Sequence, residues 1–457
     1  MNDFRYPVRR PGPGTPVTVL GLARSGAAAA RYLLRLGCAV RVTERTRTAA
    51  IEQAAQELEA AGASVEIGGH SPEFIDGSRL VVLSPGVPIS STPVSWARER
   101  GIPMVGELEL GSWYCTGRLV AVTGSNGKST VVSMLGRILQ AAGREAVVCG
   151  NIGTPLCSVL DRISPQTIVV LEVSSFQLEP SLSFHTEIGC VLNVTDNHLD
   201  RHGSFAEYRA AKAKLFAHQG PRSWGVLNAD EPGSLGLRKQ VFGQAVFFSR
   251  RRKVTGAYAR EGALHLNLPP LSGLICKIEA LPQGGVHHEE NALAAACMAG
   301  LLGVAPQKSG EAICSFQGLP HRQEWVAQLR GVTFINDSKS TTVASGIRAI
   351  QAAPGPVVLI AGGRDKGGNF RQLRPWAKKL KGAVLIGEDG PKIAGCLKGT
   401  VPVQRAGDLE EAVRTAFRMA RTGECVLLSP MCTSFDMFRD FEHRGERFVE
   451  VVKGMVA

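Results

Sequence analysis

Residues 122–130 read Val-Thr-Gly-Ser-Asn-Gly-Lys-Ser-Thr, and this stretch decides the class of fold. Arg118–Thr123 is a short apolar run suited to a buried parallel strand. Val131, Met134, Leu135, Ile138, Leu139 and Ala142 then recur at helical spacing, and Gly143 supplies the stop. Strand, glycine turn and helix in that order form a phosphate cradle. Gly124 and Gly127 allow the tight turn, so the N–H groups of Gly124, Ser125, Asn126 and Gly127 and the helix N-terminus converge on one anion. In this reading Lys128 reaches the outer phosphates, the Ser129 hydroxyl sits on Mg²⁺, and Thr130 completes the motif. Only two residues separate the glycines, against about four in the usual loop, so the loop is a variant. The plain alternative is a glycine turn at a helix start with an exposed lysine.

Outward from this loop, bulk properties narrow the class. A chain of 457 residues is too long for one core. Its 44% apolar and 20% charged residues are ordinary for a soluble globular protein, and no apolar run approaches the ~20 residues of a membrane span. Eleven cysteines without a CxxC pair argue for reduced thiols in a cytoplasmic protein, not for a disulfide or zinc framework. The net charge of +12 is dispersed, with no aromatic-interleaved basic stripe, which argues against nucleic acid and for small polyanionic substrates.

Short β-branched runs alternate with helical patterns almost throughout: Val17–Leu20, Leu80–Leu83, Ile168–Val173, Ile188–Val194, Val357–Ile360, Ala383–Ile386 and Cys425–Leu428. Such alternation predicts an α/β protein with mainly parallel sheets covered by helices. We expect a flexible tail over 1–16, a Rossmann-like domain over 17–105, a central P-loop ATPase-type domain over 106–318 and a second Rossmann-like domain over 319–457. The first domain opens with Gly21-Leu-Ala-Arg-Ser-Gly26 and has Glu44 after its second strand, like a dinucleotide fingerprint. Ala23 stands where the middle glycine would admit a pyrophosphate, which weakens a nicotinamide reading. The turn Ser84-Pro85-Gly86-Val87 follows another strand, where an open sheet collects its ligand, or is simply a proline-glycine turn.

Several residues gather near the phosphate loop. Glu172 ends the strand Ile168–Leu171, as a Mg²⁺-binding acid does. His198 follows the strand Ile188–Val194 and suits Mg²⁺ or a substrate carboxylate. Asn151 lies in the glycine-bracketed turn Gly150–Gly153, suited to a phosphate or acyl oxygen. Lys212, on a helix expected over Phe205–Ala217, reads from the sequence alone as a solvated surface lysine.

Together, Thr123–Thr130, Gly150–Gly153, Glu172–Glu179, Asn193–His202 and Tyr208–Lys212 resemble the ATP-dependent Mur ligases of peptidoglycan synthesis. Leu319–Arg322, Asn336–Thr341 and Ser429–Phe441 continue the resemblance in family order. The branch most similar is the one that adds D-glutamate to UDP-N-acetylmuramoyl-L-alanine; a sibling adding another amino acid is the alternative.

The resemblance implies a cytoplasmic, monomeric ligase that uses ATP and Mg²⁺ and passes through an acyl phosphate. It implies that Ser129, Glu172, His198 and a carbamylated Lys212 hold metal, with Lys128, Glu172, His198 and Lys212 central to catalysis. Asn291, Arg322 and Asp337 match nucleotide-contacting positions, although Asn291 alone reads equally as a helix N-cap. Lys339, Thr341, Lys366, Ser434 and Phe441 match the amino-acid pocket; Phe441 alone reads equally as helix core beside Phe438. Glu44, Arg45, Ser84, Pro85, Gly86 and Asn151 are assigned to the UDP substrate. His288 stands where the family often has asparagine, and Thr342 likewise.

Overall fold

The structure is a computed structural model that describes residues 9–195, 204–282, 286–365 and 367–456. The chain divides into two compact units, Met1–Phe316 and Gln317–Ala457.

The first unit carries two sheets. One comprises β1 (Pro16–Leu20), β2 (Ala39–Glu44), β3 (Ser64–Ile67), β4 (Leu80–Leu83) and β5 (Met104–Gly106) in the order β3-β2-β1-β4-β5, all parallel. β4 reads Leu-Val-Val-Leu with every residue buried, the pattern of a parallel strand covered on both faces. The winding direction reverses beside β1, so the loops after β1 and β4 share one crevice. There Ser84 Oγ donates to Gly21 O at 2.9 Å. A Cβ on Gly26 would sit 1.8 Å from the same carbonyl, so only glycine lets the helix Arg24–Arg35 pack so close to the turn.

The other sheet comprises β6 (Arg118–Thr123), β7 (Ala146–Gly150), β8 (Ile168–Glu172), β9 (Ile188–Val191), β10 (Trp224–Asn228), β11 (Gln244–Ser249), β12 (Gly256–Arg260), β13 (Ala263–Leu268) and β14 (Leu271–Lys277). Its order is β14-β13-β12-β11-β10-β9-β6-β8-β7, parallel except for the antiparallel meander β12–β14. β13 buries alternate residues, as a strand with one wet face does. A single apolar core runs from Val17, Leu33 and Leu58 to Leu119, Val169 and Leu227, which explains why both sheets belong to one unit.

The helix Glu107–Tyr114 joins the two sheets and buries two carboxylates of opposite character. Glu109 Oε1 accepts from Trp113 Nε1 (3.0 Å) and Ser183 N (2.8 Å), and its Oε2 from Leu182 N (3.1 Å) and Phe184 N (2.9 Å). Glu107 Oε1 accepts from Cys157 N at 2.8 Å, whereas Oε2 is buried with no hydrogen-bond partner among the described residues. Burial pushes the Glu107 carboxyl up to about 7 from an ordinary 4.5. Between these values the folded chain holds a proton that the unfolded chain has lost, so stability falls as pH rises through that window. Glu107→Gln removes the ionisation. We expect its stabilising effect in urea unfolding to be about 2 kcal/mol more favourable at pH 8 than at pH 5. An equal effect at both pH values would refute this.

The second unit contains β15 (Glu324–Leu329), β16 (Val332–Asn336), β17 (Val357–Gly362), β18 (Leu380–Ile386), β19 (Val403–Arg405) and β20 (Cys425–Leu428). The order is β15-β16-β20-β17-β18-β19, with only β15 antiparallel. In β17, Val357 and Leu359 enter the core on one face and Val358 and Ile360 the core on the other. Burial on both faces accounts for its unbroken apolar sequence.

Three expected elements are shorter than their apolar patterns, Ile168–Val173 by the single residue Val173. The strand expected over Ile188–Val194 ends at Val191, and the helix expected over Phe205–Ala217 ends at Ala213, followed by a tighter turn over Lys214–Phe216. All eleven cysteines are free. Among the described residues no helix is long and apolar enough to cross a membrane.

Candidate functional site

In the first unit β6 lies between β8 and β9, so the segments after these three strands meet at one sheet edge. Gly124 (φ 156°) and Gly127 (φ 84°) make the turn after β6, and the helix Lys128–Ala141 starts there. Lys128 Nζ donates to Gly124 O (2.8 Å) and Ser125 O (3.3 Å), folding the ammonium over its own loop.

Two loop N–H groups do not face the anion site, which corrects the expectation that all converge there. Ser125 N donates to Asn193 O (3.0 Å) and Asn126 N to Asn193 Oδ1 (2.9 Å), while Asn193 Nδ2 returns a bond to Asn126 O (3.3 Å). The first turn of the helix, whose N–H groups lack intrahelical acceptors, keeps the donors that an anion would take. Ser125 Oγ donates to Thr195 O (3.0 Å) and lies 3.1 Å from Tyr208 Oη. Asn193 and Thr195 therefore turn their polar groups to the loop and not to a neighbouring strand, and β9 ends at Val191. In the sequence Asn193 and Tyr208 stand out only as parts of longer motifs; the polar break in an apolar run is the signal for Asn193.

Glu172, at the end of β8, is 2% exposed. Its Oε2 accepts from Ser129 Oγ (2.5 Å) and its Oε1 from Asn151 Nδ2 (2.7 Å). A buried carboxylate whose side-chain partners are neutral favours a cation. Carboxylate, hydroxyl and amide oxygens are the hard donors that Mg²⁺ takes, so the donor set fits that ion.

Lys212 overturns the surface reading of its sequence. It is 1% exposed, its Nζ donates to Thr123 Oγ1 at 3.3 Å, and the ammonium lies 4.5 Å from the centre of the Tyr208 ring. Burial, with a further contribution from Lys128, holds its amine well below the usual lysine value. The sequence misled because Lys212 sits on a short, alanine-rich helix that also carries Glu207 and Arg209, and whose inner face is set by Tyr208, Ala211 and Lys212.

Asn291 lies inside the helix Val286–Leu301, so the N-cap alternative fails. A Cβ on Gly127 would meet Asn291 Oδ1 at 2.5 Å, so this asparagine lies directly against the phosphate loop. One turn earlier, His288 is buried, and burial lowers its imidazole below the ordinary value.

At the first sheet, Glu44 Oε2 accepts from Leu22 N and its Oε1 from Thr46 N, both at 2.8 Å. Burial pushes this carboxyl up, but these bonds outweigh it and hold the group below its ordinary value. Arg45 and Gly86 are exposed, Pro85 is half-buried, and Ser84 is buried. Arg24 Nη1 donates to Gly153 O at 3.0 Å, linking the turn after β1 to the loop that carries Asn151.

In the second unit Asp337 is 6% exposed and follows β16, which excludes a surface ion pair. Its Oδ1 accepts from Gln323 N (3.1 Å), and its Oδ2 from Ser429 Oγ (3.2 Å) and Ser340 Oγ. Burial still pushes it up to about 6. Lys339 Nζ lies 4.3 Å from the centre of the Phe441 ring, and His321 meets the ring edge-on at 6.3 Å, so Phe441 packs against polar loops and not into a helix core. Ser434 is buried, and Arg322 and Thr341 are half-buried. His198 and Lys366 lie outside the described residues, and no cluster of three or more His, Cys, Asp or Glu stands ready for a metal among the described ones.

Residues 15–106, 122–299 and 321–432 match, in turn, the families described as Mur ligase MurD-like N-terminal domain, Mur ligase middle domain and Mur ligase glutamate ligase domain. A UDP-N-acetylmuramoylalanine–D-glutamate ligase of Pelotomaculum thermopropionicum is 40% identical over 440 residues, 95% of this chain and 97% of that one. The ligase of the same name from Acidobacterium capsulatum is 40% identical over 443 residues, 96% of each chain. Among solved structures, the UDP-N-acetylmuramate-alanine ligase of Thermotoga maritima aligns with a TM-score of 0.58 at 18% identity, covering 96% of this chain and 99% of that one. MurF ligase from the same organism, in complex with ADP, aligns at 0.56 and 17% identity over 99% of both chains. The fold is shared with these structures, and the full-length identity to the ligases goes further: the chain belongs to the Mur ligase family.

Proposed function

We propose that this protein joins D-glutamate to UDP-N-acetylmuramoyl-L-alanine at the expense of ATP, releasing ADP and phosphate in peptidoglycan precursor synthesis. The observation that carries the reading is the buried grouping of Ser129, Glu172 and Lys212 around the phosphate loop. Identity of about 40% to D-glutamate ligases over nearly the whole chain supports the choice of substrate.

A carboxylate and an ammonium do not condense at neutral pH, because oxide is too poor a leaving group. The ATP γ-phosphoryl group is therefore moved to the carboxylate of the UDP substrate, giving an acyl phosphate. The amine of D-glutamate attacks this carbonyl, and phosphate departs. Because the reacting groups other than the amine are anionic, charge neutralisation and positioning supply most of the catalysis. Lys128 and the helix N-terminus hold the phosphates, with Asn291, Arg322 and Asp337 on the nucleotide. Ser129, Glu172, His198 and a carbamylated Lys212 would hold Mg²⁺, which when bound neutralises phosphate charge. Carbamylation adds CO₂ to the neutral Lys212 amine with loss of one proton, turning a cation into an anion that a metal can bind. Asn151, Glu44, Arg45 and Ser84–Gly86 position the UDP substrate, and Lys339, Thr341, Lys366, Ser434 and Phe441 receive D-glutamate.

The test is coupled ADP release with UDP-N-acetylmuramoyl-L-alanine across a panel of amino acids. D-Glutamate is expected to support turnover, and L-glutamate, L-alanine and diaminopimelate to fail. Release that continues unchanged without D-glutamate would refute the assignment.

A further inference from the structure

Arg444 is among the largest fully buried side chains of the protein, 1% exposed. It stands one turn inside the helix Phe441–Val456. Its guanidinium is spread over two loops that follow different strands. Towards the loop after β16, Nε donates to Ser338 Oγ (3.0 Å) and Nη2 to Ser338 O (2.9 Å). Towards the loop after β20, Nη1 donates to Thr433 O (3.2 Å), and Nη1 and Nη2 both reach Cys432 O at 3.3 Å. Every one of these acceptors is a neutral oxygen.

A buried cation whose hydrogen bonds go to carbonyls and a hydroxyl, with only Asp436 acting on it as a nearby carboxylate, is a costly way to stabilise a fold. Burial lowers the Arg444 guanidinium only to about 10, so it keeps its charge at neutral pH. The residues beside its acceptors suggest what this charge and this fork of donors are for. Lys339 and Thr341 follow Ser338, and Ser434 follows Thr433. Ser338 Oγ donates in turn to Phe441 O at 2.8 Å. Four of the five residues assigned to the amino-acid pocket thus hang from groups that Arg444 or its partner Ser338 fixes.

We infer that Arg444 is a positioning residue for the amino-acid pocket, clamping the Ser338–Thr341 and Cys432–Ser434 loops in mutual register from beneath. Lysine cannot replace it, because a point ammonium cannot span both loops as a planar fork does. The inference rests on the D-glutamate reading above, and the experiment separates the two.

Arg444→Met and Arg444→Lys are compared with the wild type by steady-state ADP release, with circular dichroism as the check on folding. In both variants the KM for D-glutamate is expected to rise about tenfold or more, less for lysine than for methionine. The KM for UDP-N-acetylmuramoyl-L-alanine should stay within about twofold, because its assigned residues belong to the other unit. An unchanged KM for D-glutamate in a folded variant, or an equal rise in both constants, overturns the inference. Should neither variant fold, Ser338→Ala removes one acceptor of the clamp. It is expected to raise the KM for D-glutamate about threefold, and no change there also overturns the inference. Wild-type turnover that ignores D-glutamate would instead defeat the functional reading before any variant is compared.

Discussion

Lys128→Ala is expected to lower kcat for ADP release at least about a thousandfold, the scale of losing a cation that stabilises a transferring phosphoryl group. The ammonium rests on Gly124 O and Ser125 O, poised over the loop where the helix N-terminus opens. Those carbonyl bonds are weak competitors for it once the phosphates arrive, because bonds to a charged acceptor are about twice as strong. Since Ser125 and Asn126 give their N–H groups to Asn193, the loop offers fewer neutral donors to take over from the lysine. Lys128→Arg should fail nearly as completely, its guanidinium being too broad for a turn this tight. A kcat within tenfold of wild type in Lys128→Ala would remove the loop from the chemistry.

Lys212→Ala is expected to cost about 10²–10³-fold in kcat, and short carboxylic acids such as formate or acetate should restore part of it. The amine is fully buried beside Tyr208 and Thr123, and both burial and Lys128 disfavour its protonated form. The neutral amine is the form that captures CO₂, so the site raises the population that reacts. The sign of the pH effect follows. Between the lowered folded value and the usual ~10.4 the unfolded chain holds a proton that the folded chain does not, so this residue's contribution to stability worsens as pH falls through that window. Activity should decline in the same direction as the amine protonates. A small carboxylate fits the space that alanine leaves and supplies the same anionic oxygens. Full activity in the variant would count heavily against the carbamate, and so would an acid-insensitive profile in the wild type.

The parallel sheets were legible in the sequence because their strands are buried on both faces. Leu80–Leu83 and Cys425–Leu428 have the same bounds in the structure as in the apolar pattern. The meander β12–β14 was not foreseen, since its strands are half-wet and interrupted by Arg260, Gly262 and Pro270. Phosphate loop and Glu172 meet at the strand ends where the apolar runs put them, and Asn151, legible only as part of a glycine-bracketed turn, joins them. Lys212 and Asn291 could not be read locally, because what buries a lysine or aims an asparagine is the element packed against it, here Tyr208 and the Gly127 turn. Arg444 gave no signal either: in sequence it is one basic residue in a charged helix, and only the tertiary fold surrounds it with carbonyls.

The grip of Asn193 on Ser125 and Asn126 has a thermodynamic consequence for the nucleotide. A loop that had to be ordered by its ligand would charge the complex about 1–2 kcal/mol for each backbone residue fixed. Here bonds within the chain itself hold those residues, so part of that entropy is lost at folding. The same asparagine belongs to the strand end from which the chain runs on towards His198. Phosphate loop and strand end are therefore tied directly, by three hydrogen bonds involving one residue and with no intervening helix.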